Sequence, residues 1–375
     1  MKNSNYVVIM AGGIGSRFWP VSRTDYPKQF LDILGIGQTL IQQTYNRFLE
    51  IVPKENIYVI TSDDYIEIVK EQLPLLPPEN ILGEPCRKNT APCIAYLSFK
   101  LIQKDPAATL IIAPADHLIL NQQGFVAVCT EALHFVQGNN ALLTLGIQPA
   151  YPNTDYGYIQ REEQPSEASI YKVKRFTEKP DLEHAKEFIA SGDYLWNAGI
   201  FLWQANAILE ALQLYLPEMY LLFGRCLEDY NTPGEKVAVD QAYFDSASIS
   251  IDYAIMEKAG NVYILPASFG WSDLGTWTSA WENMDKDPSK NAVAGDGVII
   301  IDASSCIVHA QNEKVVVVQG LEDFIVIDSS DALLICHKEK EQDIKQYLAI
   351  VQSQKGEQYL YTPREIARKD MEKQA

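Results

Sequence analysis

The chain opens with an apolar run that passes directly into a glycine-rich, basic loop: Tyr6-Val-Val-Ile-Met-Ala-Gly-Gly-Ile-Gly-Ser-Arg-Phe-Trp-Pro20, then Val-Ser-Arg-Thr-Asp-Tyr-Pro-Lys-Gln-Phe30. Val7, Val8 and Ile9 have no polar residue between them, as in a strand covered on both faces of a parallel sheet. Gly12, Gly13 and Gly15 then let the backbone turn sharply and come close to a ligand. Arg17, Arg23 and Lys28 stand against one acid, Asp25, between residues 13 and 30, which leaves that window at +2 in a chain of net charge −18. Such a loop can bring bare amides and fixed cations to one polyphosphate. Its plain alternative is an ordinary strand-to-helix turn with surface cations, since short glycine patterns are weak signals. The extension through Trp19-Pro20 to Pro27-Lys28-Gln29-Phe30 makes the pattern far more specific.

The contrast in charge excludes several classes of partner. A chain with a sequence pI near 4.7 repels nucleic acid and anionic membrane surfaces. A small anionic ligand needs a local cationic patch, and this loop is the clearest one. No charged-then-apolar leader opens the chain and no apolar run is long enough to span a bilayer, so a cytoplasmic location is expected. The six cysteines (Cys86, Cys93, Cys129, Cys226, Cys306, Cys336) contain no CxxC pair; buried free thiols are expected rather than a disulfide framework or zinc site. The five histidines lie in separate contexts and form no ligand cluster.

Strand-like and helix-like patterns alternate through the first half. After the opening strand, 39–51 has helical spacing, 57–60 reads as a strand, 63–73 as a helix and 81–83 as a strand. The stretch 90–104 reads as a helix with Pro92 in its first turn, where a missing N–H does least harm. Then 110–113 is a strand, 124–137 a helix and 141–145 a strand. This predicts a Rossmann-like α/β fold: a mixed, mostly parallel sheet flanked by helices. In such sheets ligands sit beyond the carboxyl ends of the strands, where the glycine loop, Gly83-Glu-Pro85 and Pro114-Ala-Asp-His117 all fall. Segments 156–160 and 171–176 read as inserted strands joined by an acidic loop, 162–167. A helix over 182–190, a strand over 199–203, mainly helix to Met256 and a strand over 262–265 follow. From about Asn291, five short β segments recur at the spacing of an all-β unit, before a helix over 342–351. The expected division is 1–288 for a catalytic domain and 289–375 for a small β-rich domain ending in a helix.

Several residues carry chemistry by type and place. Asp116 follows a buried strand and Asp273 lies in Trp271-Ser-Asp-Leu-Gly275; they can meet as a hard oxygen pair for Mg²⁺, or be a helix N-cap and a turn residue. Glu178-Lys179-Pro180 reads as a surface ion pair, or as a carboxylate for sugar hydroxyls beside an ammonium for a phosphate. Asn197-Ala-Gly199 is a β-turn or a neutral amide and open backbone suited to a sugar. Glu84 can accept from two adjacent N–H donors, the pattern of guanine's N1 and N2 edge. Asn89 and Thr90 cap the next helix, contact the base, or do both.

Together these segments resemble the nucleotidylyltransferases that act on sugar 1-phosphates, most closely the mannose-1-phosphate guanylyltransferase (GDP-mannose pyrophosphorylase) branch. The resemblance rests on 11–20 with Pro27-Lys-Gln-Phe30, Glu84-Pro85 with Asn89-Thr-Ala-Pro92, Pro114-Ala-Asp-His117, Tyr156-Gly-Tyr-Ile159, Phe176-Thr-Glu-Lys-Pro180, Trp196-Asn-Ala-Gly-Ile200, Ser250-Ile-Asp-Tyr253 and Trp271–Gly275. Segments 320–327 and 331–334 resemble the family's C-terminal β domain. It implies that Gly12, Gly13, Gly15, Arg17 and Lys28 hold a triphosphate, and that Asp116 and Asp273 hold Mg²⁺. Glu178, Asn197, Gly199 and Gly157 would read mannose, Lys179 its phosphate, and Glu84, Asn89 and Thr90 the guanine. Arg17, Lys28 and Lys179 would be the catalytic cations. Lys88 stands where the family often has Arg, which keeps charge but loses a bidentate fork. Some relatives carry an appended isomerase domain; none fits in this chain, so no isomerase activity is expected.

The implied reaction is GTP + mannose 1-phosphate → GDP-mannose + pyrophosphate, by in-line attack on the α-phosphorus. Alternatives are the same chemistry on another hexose 1-phosphate or NTP, and a silent sugar-nucleotide-binding regulatory subunit. A dinucleotide-binding dehydrogenase is disfavoured, because the loop reads GGxGxR rather than GxGxxG. The resemblance alone allows a homodimer.

Overall fold

The computed structural model describes residues 4–310, 314–363 and 365–366. The chain packs as two compact units, one of residues 1–12, 45–114 and 119–271, the other of 13–44, 115–118 and 272–375.

Its early strands, in chain order, are β1 (Asn5–Met10), β2 (Ile57–Ser62), β3 (Ile81–Glu84), β4 (Thr109–Pro114), β5 (Leu118–Ile119), β6 (Leu142–Ile147), β7 (Tyr158–Glu167), β8 (Ile170–Thr177), β9 (Tyr194–Gln204), β10 (Val262–Ala267) and β11 (Trp271–Ser272). All but the two-residue β5 and β11 form a nine-stranded sheet in the order β3-β2-β1-β4-β9-β6-β10-β8-β7. β1 pairs in parallel with β2 and β4, β2 with β3, and β6 with β10. β9 runs against β4 and β6, and β8 against β10 and β7, so the sheet is mixed but mostly parallel.

The apolar run of β1 is explained by cover on both faces. Tyr6 and Val8 join a core with the helices Thr90–Lys104, Ala205–Tyr215 and Pro217–Gly224. Val7 and Ile9 fall on the opposite face by the two-residue period of a strand and are equally buried. Helix Gln122–Gly138 packs on β4, β6, β9 and β10. Because β1, β3 and β4 are parallel, their carboxyl ends (Met10, Glu84, Pro114) share one edge of the sheet.

Two segments differ from expectation. Residues 162–167 are the outer half of β7 rather than a loop, and the connection to β8 is only Ala168-Ser169, with Ala168 at φ 46°. That half-strand is solvent-exposed, so its pairing with β8 rests on backbone bonds and leaves no apolar alternation to read. Asn197-Ala-Gly199 lies inside β9 rather than in a turn before it. The pairing of β9 with β6 shifts register between Thr144 and Gly146, and Gly199 takes φ +66°, as a bulge requires.

The second unit contains β12 (Ala292–Ala294), β13 (Val298–Ile301), β14 (Ile307–Ala310), β15 (Val316–Gln319), β16 (Phe324–Asp328) and β17 (Leu333–His337). β12, β14 and β16 stack in parallel, with β17 antiparallel on β16, while β13 and β15 pair separately. Helix Ile344–Lys355 follows. Its core joins these strands to the early loop region: Phe18, Trp19, Ile33 and Leu40 pack with Trp277, Ile307, Ile325 and Ile327.

Hydrogen bonds tie the same region to the end of the chain. Arg23 donates to the Tyr359 carbonyl (2.7 Å) and pairs with Asp331 (2.6 Å), and Asp25 accepts from the Thr362 amide (2.8 Å). Five cysteines are buried, Cys86 is half-buried and all six are free. Among the described residues no helix is long and apolar enough to cross a membrane.

Candidate active site

The loop residues of the second unit meet around Lys28. Gly15, at φ +62°, caps a 3-10 turn over Ser16–Phe18 that contains Arg17. A Cβ on Gly15 would run into the Lys28 Cβ, so glycine is required there by the protein itself. Gly13 differs: a Cβ there meets open space. The Lys28 side chain is 6% exposed, and its ammonium lies 2.8 Å from Asp116 Oδ2. The same ammonium donates to the Asp273 and Leu274 carbonyls, both at 2.9 Å. Three oxygens therefore surround one ammonium, matching its three donors.

Lys28 brings Asp116 and Asp273 to one place. Asp116 is not a helix N-cap: Asn121 caps the next helix, accepting from the Gly124 amide. Burial pushes the Asp116 carboxyl up, but Lys28, then His117, outweigh it and hold it below the ordinary value. Asp273 is a turn residue, as its sequence allowed, with Oδ1 accepting from the Gly275 amide at 3.0 Å. Arg23, counted among the loop cations, is 4% exposed and committed to Pro20, Tyr359 and Asp331. It holds the loop rather than a ligand.

In the first unit, Glu84 ends β3 next to Gly12, where a Cβ would lie at ordinary contact distance, 3.5 Å from Glu84 Oε2. Burial pushes the Glu84 carboxyl up to about 7; Asp63 adds to the rise, while the Tyr243 hydroxyl and Arg87 oppose it. Asn89 is the N-cap of helix Thr90–Lys104, at φ 67° and ψ −164°, and its side chain accepts from the Thr90 amide at 2.9 Å. That backbone conformation is nearly exclusive to glycine and strained for other residues. Thr90 Oγ1 accepts from the Ile251 amide at 2.9 Å, which fastens the cap to residues 249–251. Lys88 turns inward to the Ser246 carbonyl at 2.9 Å.

The remaining site residues gather in the same unit. Glu178 and Lys179 follow β8; they form an ion pair of 2.8 Å in which the Glu178 side chain is 11% exposed and Lys179 56%. A Cβ on Gly157 would run into Glu178 Oε2, and Asn197 donates its amide to the Gly157 carbonyl at 2.8 Å. Asn197 Oδ1 accepts from Thr144 Oγ1 (2.9 Å) and the Gly199 amide (3.1 Å). Its Nδ2 donates to Asp252 Oδ1 at 3.0 Å. Burial opposes charge on Lys179, yet Glu178, Tyr253 and Asp252 outweigh it and hold the ammonium above its ordinary value.

Asp252 has no role legible in the sequence. Ser250-Ile-Asp-Tyr253 stands out as a motif, yet nothing in it names a partner, and the contact that matters reaches Asn197, 55 residues away. Burial, then the Glu178 charge, push the Asp252 carboxyl up to about 7, against Lys179 and Asn197. Among the described residues no group of three or more His, Cys, Asp or Glu is gathered for a metal.

Comparison with known proteins gives the family. A nucleotidyl transferase family model matches residues 6–290, and a "MannoseP isomerase/GMP-like beta-helix domain" model matches 296–350. The chain is 37% identical over 369 residues to a mannose-1-phosphate guanylyltransferase of Salmonella montevideo, spanning 96% of this chain and 76% of that one. It is 39% identical over 342 residues to the alginate biosynthesis protein AlgA of Pseudomonas aeruginosa, spanning 90% and 70%. A crystal structure from Thermus thermophilus, described as a mannose-1-phosphate geranyltransferase, superimposes with TM-score 0.84 at 30% identity, over 93% of this chain and 99% of that one. With its glycine loop, its Lys28–Asp116 pair and a match over most of its length, the chain belongs to the nucleotidyl transferase family, in the branch of the mannose-1-phosphate guanylyltransferases.

Proposed function

We propose that this protein transfers GMP from GTP to mannose 1-phosphate, releasing pyrophosphate and forming GDP-mannose. The observation that carries the reading is the cluster of Glu178, Lys179, Asn197 and Gly157, which sets the Glu178 carboxylate, an acceptor for sugar hydroxyls, beside one ammonium as a sugar phosphate demands. The names of the relatives point to the same substrates.

The chemistry joins two anions. Two unit charges 4 Å apart repel by about 4 kcal/mol at an effective dielectric near 20, and each uncompensated pair slows the step about a thousandfold. The work of the protein is therefore positioning and neutralisation. Gly12, Gly13 and Gly15 would offer backbone amides to the triphosphate, and Arg17 would hold the departing pyrophosphate together with Lys28, once a phosphate oxygen replaces one of the three protein acceptors of its ammonium. Lys179 would hold the sugar phosphate; Glu178, Asn197, Gly157 and Gly199 would orient the sugar. Glu84, with Asn89 and Thr90 at the helix start, would meet the guanine edge.

Asp116 and Asp273 are the residues that would hold Mg²⁺, a hard-oxygen pair of the kind that cation takes along with phosphates and water. Bound there, the ion would supply neutralising charge to the α-phosphate. A catalytic domain over 1–288 and a small β domain over 289–375 form part of this reading, supported by family matches that end at 290 and begin at 296. Six free thiols support a cytoplasmic location. Exposed Ile299, Ile301 and Val317 on the β13–β15 pair, with exposed Val315 just before β15, support a homodimer.

Pyrophosphate release across a panel of NTPs and hexose 1-phosphates tests the function. GTP with mannose 1-phosphate is expected to give the highest kcat/KM. Preference for another pair, or GDP-mannose binding without turnover, would overturn it.

A further inference from the structure

The cluster around Glu178 contains a carboxylate that no part of the scheme above uses. Asp252 begins a five-residue π-helical turn, Asp252–Met256, closed by a bond from the Glu257 amide to the Asp252 carbonyl at 3.0 Å. Such turns are rare and concentrate at functional sites, because the extra residue re-aims a side chain. This one is fastened at both ends to the cluster. Asp252 Oδ1 accepts from Asn197 Nδ2 at 3.0 Å, and Glu257 Oε1 accepts from the Glu178 amide at 3.2 Å.

The bonds to Asn197 change what that residue can offer. Its Oδ1 already accepts twice, from Thr144 Oγ1 and the Gly199 amide, and one Nδ2 hydrogen goes to Asp252. Its amide is thus a fixed bracket, and what it fixes is Asp252. Glu178 Oε2 and the Asn197 Cβ both lie against Gly157, so the half-buried Asp252 carboxylate, bonded to Asn197, is held near the Glu178–Lys179 pair and feels the Glu178 charge. Two carboxylates in one desolvated place repel, and neutral hydroxyl donors relieve them without adding charge.

We propose that Asp252 is a sugar-contacting residue which, with Glu178, accepts hydrogen bonds from two hydroxyls of the hexose and so helps decide which hexose 1-phosphate is used. The proposal rests on reading this cluster as the sugar site. Asn197 is then a positioning residue that acts through Asp252.

The test compares wild type with Asp252→Asn, using mannose 1-phosphate and its 2-, 3-, 4- and 6-deoxy analogues at saturating GTP. An amide at 252 still accepts from Asn197 and loses only the charge and one acceptor, so folding is retained where Asp252→Ala would leave the Asn197 amide without its partner. KM for mannose 1-phosphate is expected to rise about ten- to hundredfold, the worth of a hydrogen bond to a charged group, while KM for GTP stays at its wild-type value. One deoxy analogue, lacking the contacted hydroxyl, should show no further rise in the variant. An equal rise for every analogue, or an unchanged KM for the sugar, would overturn the proposal and leave Asp252 a structural residue. Absence of wild-type turnover would count against the function proposed above; calorimetric binding of mannose 1-phosphate and its analogues to both proteins then decides the role of Asp252 separately.

Discussion

The Lys28 ammonium stands 2.8 Å from the Asp116 carboxylate and directs its other donors to the Asp273 and Leu274 carbonyls. One side chain thus joins the phosphate loop to both proposed metal ligands. Replacing it has two separable consequences. Lys28→Ala leaves Asp116 and two carbonyls without their cation, and breaking a buried pair costs about 3–5 kcal/mol. Asp116 keeps 30% of its side-chain surface exposed, so about 2 kcal/mol is the better expectation. Lys28→Ala with Asp116→Ala should cost less than the sum of the single changes in a denaturation cycle. Turnover should fall roughly a thousandfold in Lys28→Ala, if the ammonium neutralises one charge pair in the reaction. Near-normal turnover would remove Lys28 from the catalytic set.

Gly13 and Gly15 separate a ligand's demands from the fold's. Gly15→Ala places a methyl in the space of the Lys28 Cβ at a positive φ, so it should lower stability by about 1–3 kcal/mol. Gly13→Ala meets open space and should leave the melting temperature unchanged. If the loop lies against a triphosphate, the same methyl obstructs the ligand, and KM for GTP rises while stability does not. Melting curves with and without GTP for both variants decide it; equal GTP stabilisation of Gly13→Ala and wild type would move the triphosphate elsewhere.

Much of this is legible in the residues alone, for physical reasons that can be named. The strand at Val7–Ile9 shows itself because both faces are buried and no polar residue interrupts it. Helix Thr90–Lys104 has the bounds its sequence predicts, because Asn89 caps it and Pro92 falls where an N–H is dispensable. What stays hidden depends on partners far along the chain. Arg23 looks like a ligand-facing cation until Tyr359 and Asp331, more than 300 residues away, take it up. Residues 162–167 look like a loop because their strand is exposed and paired through backbone alone. Asp252 needs both a π turn and a bulged β9 to meet Asn197, and neither has a sequence period.

Glu84 should make both stability and GTP binding depend on pH near neutrality. Its carboxyl lies at about 7 in the folded protein against 4.5 for the free group. A folded-state value above the unfolded one means the contribution to stability is complete below pH 4.5 and is lost as pH rises through 7. The loss amounts to roughly 3 kcal/mol, and Glu84→Gln should flatten it in denaturation midpoints taken across that window. Asp252, also at about 7, adds a loss of the same sign that the variant keeps. Binding should run the other way: the ionised carboxylate offers one charged oxygen to each of two N–H donors, whereas the protonated form turns one oxygen into a donor. GTP affinity should therefore rise through pH 7 in wild type and stay level in Glu84→Gln. A level wild-type profile would take Glu84 away from the base.

Asn89 carries two loads that substitution can separate. It caps helix Thr90–Lys104, and it holds φ 67° with ψ −164°, a region that suits glycine. Asn89→Ala loses the cap and keeps the strain, so it should cost the cap alone, about 0.5–2 kcal/mol. Asn89→Gly loses the cap but relieves the strain; a glycine at an N-cap costs only a few tenths of a kcal/mol against a strain of about 1–3 kcal/mol, so stability should equal or exceed that of wild type. If the Asn89 amide also touches the base, Asn89→Gly will raise KM for GTP although the fold is intact. If KM follows stability instead, rising in Asn89→Ala and not in Asn89→Gly, the residue serves the helix alone and base recognition falls to Glu84 and Thr90.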